Sequence, residues 1–413
     1  ANGHAITARG ALVAGSMAGS IGVTINAVAN GSGVGFTQGA NAISASAGGI
    51  SITANTQAGT AYSSSGNLTA TNLPININTS TTTGSGISTT GSITGGVVTI
   101  SSTQSTSTAS ATVISTTGLI TANRLSMSAT GGAASTIVSL GAITINSGGG
   151  NIAVTAMNLA AGSGTGITQT GAITNGAAGS SLIFTSNHSI TQSGAITLVA
   201  NTGTPAANVI YDTASGNRGS NITTGALTLT SGTGSVINHV VRSAGGSITT
   251  GAIGTSTAPL PGTVSIDNTF GCIGSGCIPS SGFISASNVS STTATNSVGV
   301  TIGGAINATG NITVNGVSNG NNGISYTAAM TTSSGGIRLT GITTTGTAIS
   351  ASSAGILSAT STTSGVITLT GNSSAASGGF GINSASSATI TGAAGVYLNG
   401  QGVGGSITIG ALV

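Results

Sequence analysis

Aliphatic residues recur along this chain as aliphatic–polar–aliphatic triplets, the alternation expected of short strands with one buried face. Val23-Thr24-Ile25, Ile50-Ser51-Ile52, Ile75-Asn76-Ile77, Val98-Thr99-Ile100, Leu125-Ser126-Met127, Ile152-Ala153-Val154 and Leu182-Ile183-Phe184 start 27, 25, 23, 27, 27 and 30 residues apart. The series continues through Val209, Val236 and Val264-Ser265-Ile266, then resumes at Ile312, Ile337, Ile367 and Val396. Even spacing calls for one further coil between 264 and 312. A second signature lies at another phase of the same period. It reads Ile-Thr-x-x-Gly-Ala-Ile-Thr, as at 167–174 and 190–197, and one residue shorter at 222–228. The stretch 245–253 returns near the end as 404–412 with two changes in nine positions.

A strand, a glycine corner, a second strand and then a separate triplet make three strands per coil. Glycine suits the corner because it tolerates positive φ and close backbone approach. No single coil buries its own aliphatic row, whereas stacking at the ~4.8 Å strand spacing merges the rows into one core. The expected fold is therefore all-β: a right-handed parallel β-helix, or β-solenoid, of about fifteen coils of about 27 residues. Its handedness follows from the crossover preference of parallel strands. Such a rod is roughly 70 Å long at the strand spacing. An antiparallel sandwich explains the alternation but not the period. The composition keeps one character throughout, so residues 1–413 read as a single continuous solenoid. An irregular excursion is expected around 255–300, where Pro259, Pro261, Cys272 and Cys277 interrupt the repeat.

Charge changes the picture most. Only 2% of residues are charged, against about 25% in ordinary soluble domains. Lys and Glu are absent; the cations are Arg9, Arg124, Arg218, Arg242 and Arg338, the anions Asp212 and Asp267, and the net charge is +3. In-register stacking sets equivalent side chains above one another, so identical charges repel across every rung. Ser, Thr and Asn form hydrogen-bonded ladders instead. Nucleic-acid binding needs clustered cations along one face, and these arginines are scattered. With 71 Gly the chain resembles a linker in part, but the hydrophobic fraction of 38% and mean hydropathy of +0.43 supply a core. No apolar run approaches the ~18 residues of a membrane-spanning helix. The chain begins at Ala1 without a basic, then apolar leader, as expected of a mature product or a piece of a longer one.

Candidate chemistry is sparse. Asp212 and Asp267 lie 55 residues apart, about two coils, so a general acid/base pair requires both in one patch; turn positions capping nearby backbone are expected instead. His4, His188 and His239 lack metal-site spacing and are expected on loops or the surface. No Gly-x-Ser-x-Gly elbow has an acid and base to activate it, and two Asp cannot furnish a repeated Gly-Gly-x-Gly-x-Asp calcium site. The chain is therefore expected to be no enzyme and to carry neither cofactor nor metal. Cys272 and Cys277 are expected to close a small loop as a disulfide in an oxidising compartment, with two free buried thiols as the alternative. Tyr62, Tyr211, Tyr326 and Tyr397 are expected to cover coil edges. Sequons at Asn30, Asn67, Asn78, Asn187, Asn221, Asn288, Asn307, Asn311 and Asn372 arise readily by chance in such a composition. Threonine runs at 81–83 and 343–345 raise ice binding, which needs a flat, regular array that coils of 23 to 30 residues do not suggest.

The units at 167–174 and 190–197, with Gly-Asn-Ile at Gly310 and Gly-Gly-x-Ile at Gly149, resemble the repeats of filamentous-haemagglutinin-like exoproteins. That resemblance implies a bacterial β-helical surface adhesin, exported to the cell surface. The expected role is a secreted structural subunit of an extracellular fibre or biofilm matrix, joining end to end through exposed strand edges. The alternatives are a passenger or stalk segment of a monomeric adhesin and, as a minor one, ice binding. The expected partners are further copies of the chain or other cell-surface components, with no nucleic acid and no membrane span.

Overall fold

The computed structural model describes residues 5–15, 22–106, 111–132, 136–146, 150–159, 164–176, 180–198, 207–213, 220–229, 237–243, 246–268, 297–352, 354–375 and 378–413. The chain is an all-β parallel β-solenoid, with stacked coils about 27 residues apart and three sheets of strands. The described residues contain no helix. Two compact units divide it, at residues 1–199 and 200–413.

In the first unit each coil contributes one strand to each sheet. The first sheet runs in eight strands from Ile6–Ala8 to Ser189–Gln192, and the second in eight from Leu12–Ala14 to Ile196–Leu198. The third runs in seven from Val23–Val28 to Leu182–Ser186. Every neighbour is parallel and in register. Val23, Ile50, Ile75, Val98, Leu125, Ile152 and Leu182, the triplet starts read from sequence, form one unbroken row. Alternation sends them inward, as in Ile50–Thr56, where every second residue is buried. β-branched residues suit this flat, half-buried surface.

The second unit repeats the plan, with a third sheet of seven strands from Ala207–Asp212 to Gly395–Gln401. Ile312, Ile337, Ile367 and Val396 continue as one row. Two expectations change here. Val264 pairs directly with Ile312, and Ile248 with Val300, so no additional coil separates 264 from 312. One coil simply contains 48 residues; Cys272 and Cys277 lie outside the described residues. The other change concerns Val236, also outside them: the residue in register between Val209 and Val264 is His239.

The aromatic residues are not edge covers. Tyr62, Tyr211 and Tyr326 are fully buried, and only Tyr397 is exposed. Phe36 and Tyr62 occupy successive rungs and stack with ring centroids 5.4 Å apart and planes 6° from parallel, one of the favoured aromatic geometries when the rings are offset.

Coil length varies mostly in the longer connections. From Ile87 to Ile93, Ile114 to Ile120, Ile167 to Ile173 and Ile190 to Ile196 is six residues each time, whereas Phe36 to Ile43 is seven, Val138 to Ile143 five and Ile349 to Leu357 eight, so the corner itself changes by one or two residues. The corner glycines have no positive φ, which corrects half of the reason expected for them. Close approach is the operative reason: a Cβ on Gly91 would overlap the carbonyl of Gly66, and one on Gly118 that of Gly91. Each corner thus rests on the backbone of the coil before it. Gly91→Ala should lower stability by about 1–3 kcal/mol, as overpacking does, while Ser88→Ala on the exposed side of the same coil should stay within about 0.5 kcal/mol. Equal denaturation midpoints for the two variants would contradict the backbone-contact account.

Candidate functional site

The outer surfaces of the first unit are rows of hydroxyls. On the first sheet Thr37, Ser63, Ser88, Ser115, Ser139, Thr168 and Thr191 lie rung over rung. On the second, Ser44, Thr69, Thr94, Thr121, Thr144, Thr174 and Thr197 do the same. These single outward threonines, rather than the consecutive runs, make the regular array. Within the runs, Thr81 and Thr343 point inward and donate to the carbonyls of Gly84 at 2.7 Å and Asn321 at 2.5 Å.

The inward polar residues serve the corners. Gln38 donates from Nε2 to the carbonyls of Asn41 at 2.8 Å and Asn67 at 3.2 Å, and its Oε1 accepts from the Tyr62 hydroxyl at 2.7 Å and Ser64 at 2.9 Å. In the two clearest repeats, Gln192 donates to Gln169 Oε1 at 3.2 Å, and each glutamine also bonds the carbonyl of its own corner glycine, Gly171 or Gly194. An unpaired buried carbonyl would cost about 1–3 kcal/mol. The position that reads as variable in Ile-Thr-x-x-Gly is therefore a buried acceptor-and-donor site.

Asparagine supplies a second device. Asn67, Asn151, Asn221 and Asn311 each accept, through Oδ1, the N–H preceding the equivalent strand one coil later, at 2.8–2.9 Å. Three of these begin Asn-x-Thr sequons. Their form follows from the fold: Asn bonds the next coil, the following aliphatic turns inward, and Thr faces out.

The carboxylates are not turn residues. Asp212, Arg242, Asp267 and Asn315 occupy four successive rungs of one row in the second unit. Arg242 Nη2 meets Asp212 Oδ2 at 2.5 Å, both side chains being largely buried, and Asn315 donates to Asp267 Oδ2 at 3.2 Å. Both anions of the chain thus flank one cation. Alternation turns the repulsion of stacked like charges into attraction.

His188 lies on the bend between Leu182–Ser186 and Ser189–Gln192, a connection as expected though buried, whereas His239 is buried within the strand Ile237–Arg242, against the loop or surface placement expected for it. His188 donates from Nδ1 to the Gly164 carbonyl at 3.2 Å; His4 lies outside the described residues. His239 sits in the aliphatic row between Val209 and Val264, edge-on to Tyr211 with centroids 5.9 Å apart. Neither of its ring nitrogens has a hydrogen-bond partner. Burial lowers its pKa from 6.5 to about 4. The described residues hold no group of three His, Cys, Asp or Glu placed to bind a metal, and no helix long and apolar enough to cross a membrane. What the surface offers is hydroxyl and amide hydrogen bonding.

Two measurements check these assignments. Unfolded chain takes up a proton at His239 near pH 6.5, whereas the folded chain resists until about 4. Stability is therefore complete above 6.5 and falls as the pH drops to 4, by up to about 3 kcal/mol. His239→Val, matching its row neighbours, should abolish that component when urea midpoints at pH 7.5 and 4.5 are compared; an unchanged difference would refute it. Arg242→Leu should cost about 2–3 kcal/mol by leaving two largely buried carboxylates of one row without the cation between them. Adding Asp212→Asn and Asp267→Asn should recover most of the loss, and no recovery would reject the charge ladder.

Comparison with protein-family models, curated proteins and solved structures finds no match.

Proposed function

We propose that the chain is a structural β-solenoid subunit of an extracellular bacterial fibre or matrix, joining end to end through strand edges, and that it acts by contact rather than catalysis. The observation that carries this reading is the uncharged, in-register edge. The strands Ile6–Ala8, Leu12–Ala14 and Val23–Val28, and the strands Gly395–Gln401, Gly405–Thr408 and Ala411–Leu412, contain no charged residue. Charge is the usual guard against edge pairing. Ile6 and Leu12 at one set of edges, and Ile407 and Leu412 at the other, continue the inward rows of Phe36, Ile43, Ile382 and Ile390 and are exposed. Those rows accept another solenoid coil of the same phase.

The resemblance of 167–174 and 190–197 to haemagglutinin-like repeats also supports a bacterial cell-surface setting, and with it a second reading as the stalk of a monomeric adhesin. Electron microscopy of the full chain separates the two. Uniform filaments many times longer than one chain are expected, with Leu412→Lys holding the material as single particles. Single particles from the unaltered chain at high concentration would overturn the fibre reading.

A further inference from the structure

In the second unit the outer face of the third sheet departs from the hydroxyl rows. Its outward positions form the rows Thr313, Arg338, Thr368, Tyr397; Asn315, Thr340, Thr370, Asn399; and Ile342, Asn372, Gln401, the last row beginning at the buried Val317. A groove runs between the last two, lined by Thr340, Ile342, Thr370, Asn372, Asn399 and Gln401, with Gly341 and Gly371 between them. Tyr397, 65% exposed, lies two residues before Asn399 on the same face.

Among the described residues, the side chains of Asn372, Asn399 and Gln401 make no hydrogen bond to the protein. This separates them from Asn67, Asn151, Asn221 and Asn311, whose amides tie one coil to the next. Each carboxamide offers two donors and an acceptor with two lone pairs. Asn372 and Gln401 stand on adjacent rungs about 4.8 Å apart, and Asn399 lies two residues from Gln401 on the same strand, about 7 Å away.

The lining selects the ligand class. It contains no charge, so a phosphate or carboxylate finds no counter-ion there; Arg338 stands in the other row, two rungs from Tyr397. An apolar ligand would desolvate the carboxamides without replacing their hydrogen bonds. A neutral polyhydroxylated ligand fits both demands. Its hydroxyls donate and accept as carboxamides and threonines do, and its C–H faces pack on an exposed aromatic ring.

We propose that this groove binds a linear neutral oligosaccharide lying across the rungs, with Tyr397 against a sugar face and Asn372, Asn399 and Gln401 holding hydroxyls. This goes beyond the fibre reading and does not require it, since the groove lies on the side of the solenoid. The test is calorimetric titration of the full chain with neutral hexasaccharides of β-1,4-glucose, β-1,3-glucose and α-1,6-mannose, and with a hexagalacturonate as the acidic control. Saturable binding of at least one neutral probe is expected. Tyr397→Ala, or Asn399→Ala with Gln401→Ala, should weaken it by roughly tenfold or more, while Tyr397→Phe retains it. All three altered positions are at the surface, so circular-dichroism melting should be unchanged. The proposal is overturned if no neutral probe binds, if the alanine variants bind equally well, or if only the galacturonate binds and salt abolishes it.

Discussion

Among the described residues, each strand position stands about 4.8 Å from its equivalent in the next coil, and that in-register stacking governs which side chains those positions tolerate. A row must be compatible with itself. Aliphatic rows are, because they bury one another; hydroxyl rows are, because a hydroxyl both donates and accepts. Glutamine bonds glutamine at 169 and 192, and an aromatic stacks on an aromatic at 36 and 62. A charge is compatible only with its opposite, and the row through Asp212, Arg242 and Asp267 supplies that alternation. The 2% charge content is therefore a consequence of the fold.

The same constraint explains what the sequence made legible. The aliphatic triplets carried the coil, the three strands and the register, because a buried row leaves the same residue type at each turn. Positions whose role depends on a neighbour one coil away were obscure. The place of His239 in the row was given to Val236 because an aliphatic search passes over an imidazole. Asp212 and Asp267 looked like separate turn residues because Arg242, which unites them, lies 30 positions from one and 25 from the other. The buried tyrosines were expected at coil edges, whereas Tyr62 lies in the core with its hydroxyl on Gln38 from the preceding coil. A 48-residue coil looked like two coils because spacing alone cannot distinguish an inserted segment from an added turn.

Rows and connections thus divide the work. Connections change length freely because chain entropy penalises longer loops only slowly, and the corner changes by no more than one or two residues, from five between Val138 and Ile143 to eight between Ile349 and Leu357. The rows cannot slip, since a one-residue shift would turn the aliphatic face outward. Irregular coil length is consequently no argument against a regular surface, a point the hydroxyl rows of the first unit make directly.

A surface built from repeated neutral rungs binds weakly at any one rung, since each neutral hydrogen bond contributes only about 0.5–1.5 kcal/mol net. Useful affinity must come from departures from the repeat or from copies of it. The row containing Asn372 and Gln401 is such a departure, with carboxamides where most outward rows carry hydroxyls. End-to-end assembly would supply the copies: one groove per subunit at fixed spacing converts modest single-site binding into avidity for a long ligand without any new contact. The stacking that keeps charge out of the strand rows would thereby be the feature through which a weak site of this kind gains from repetition.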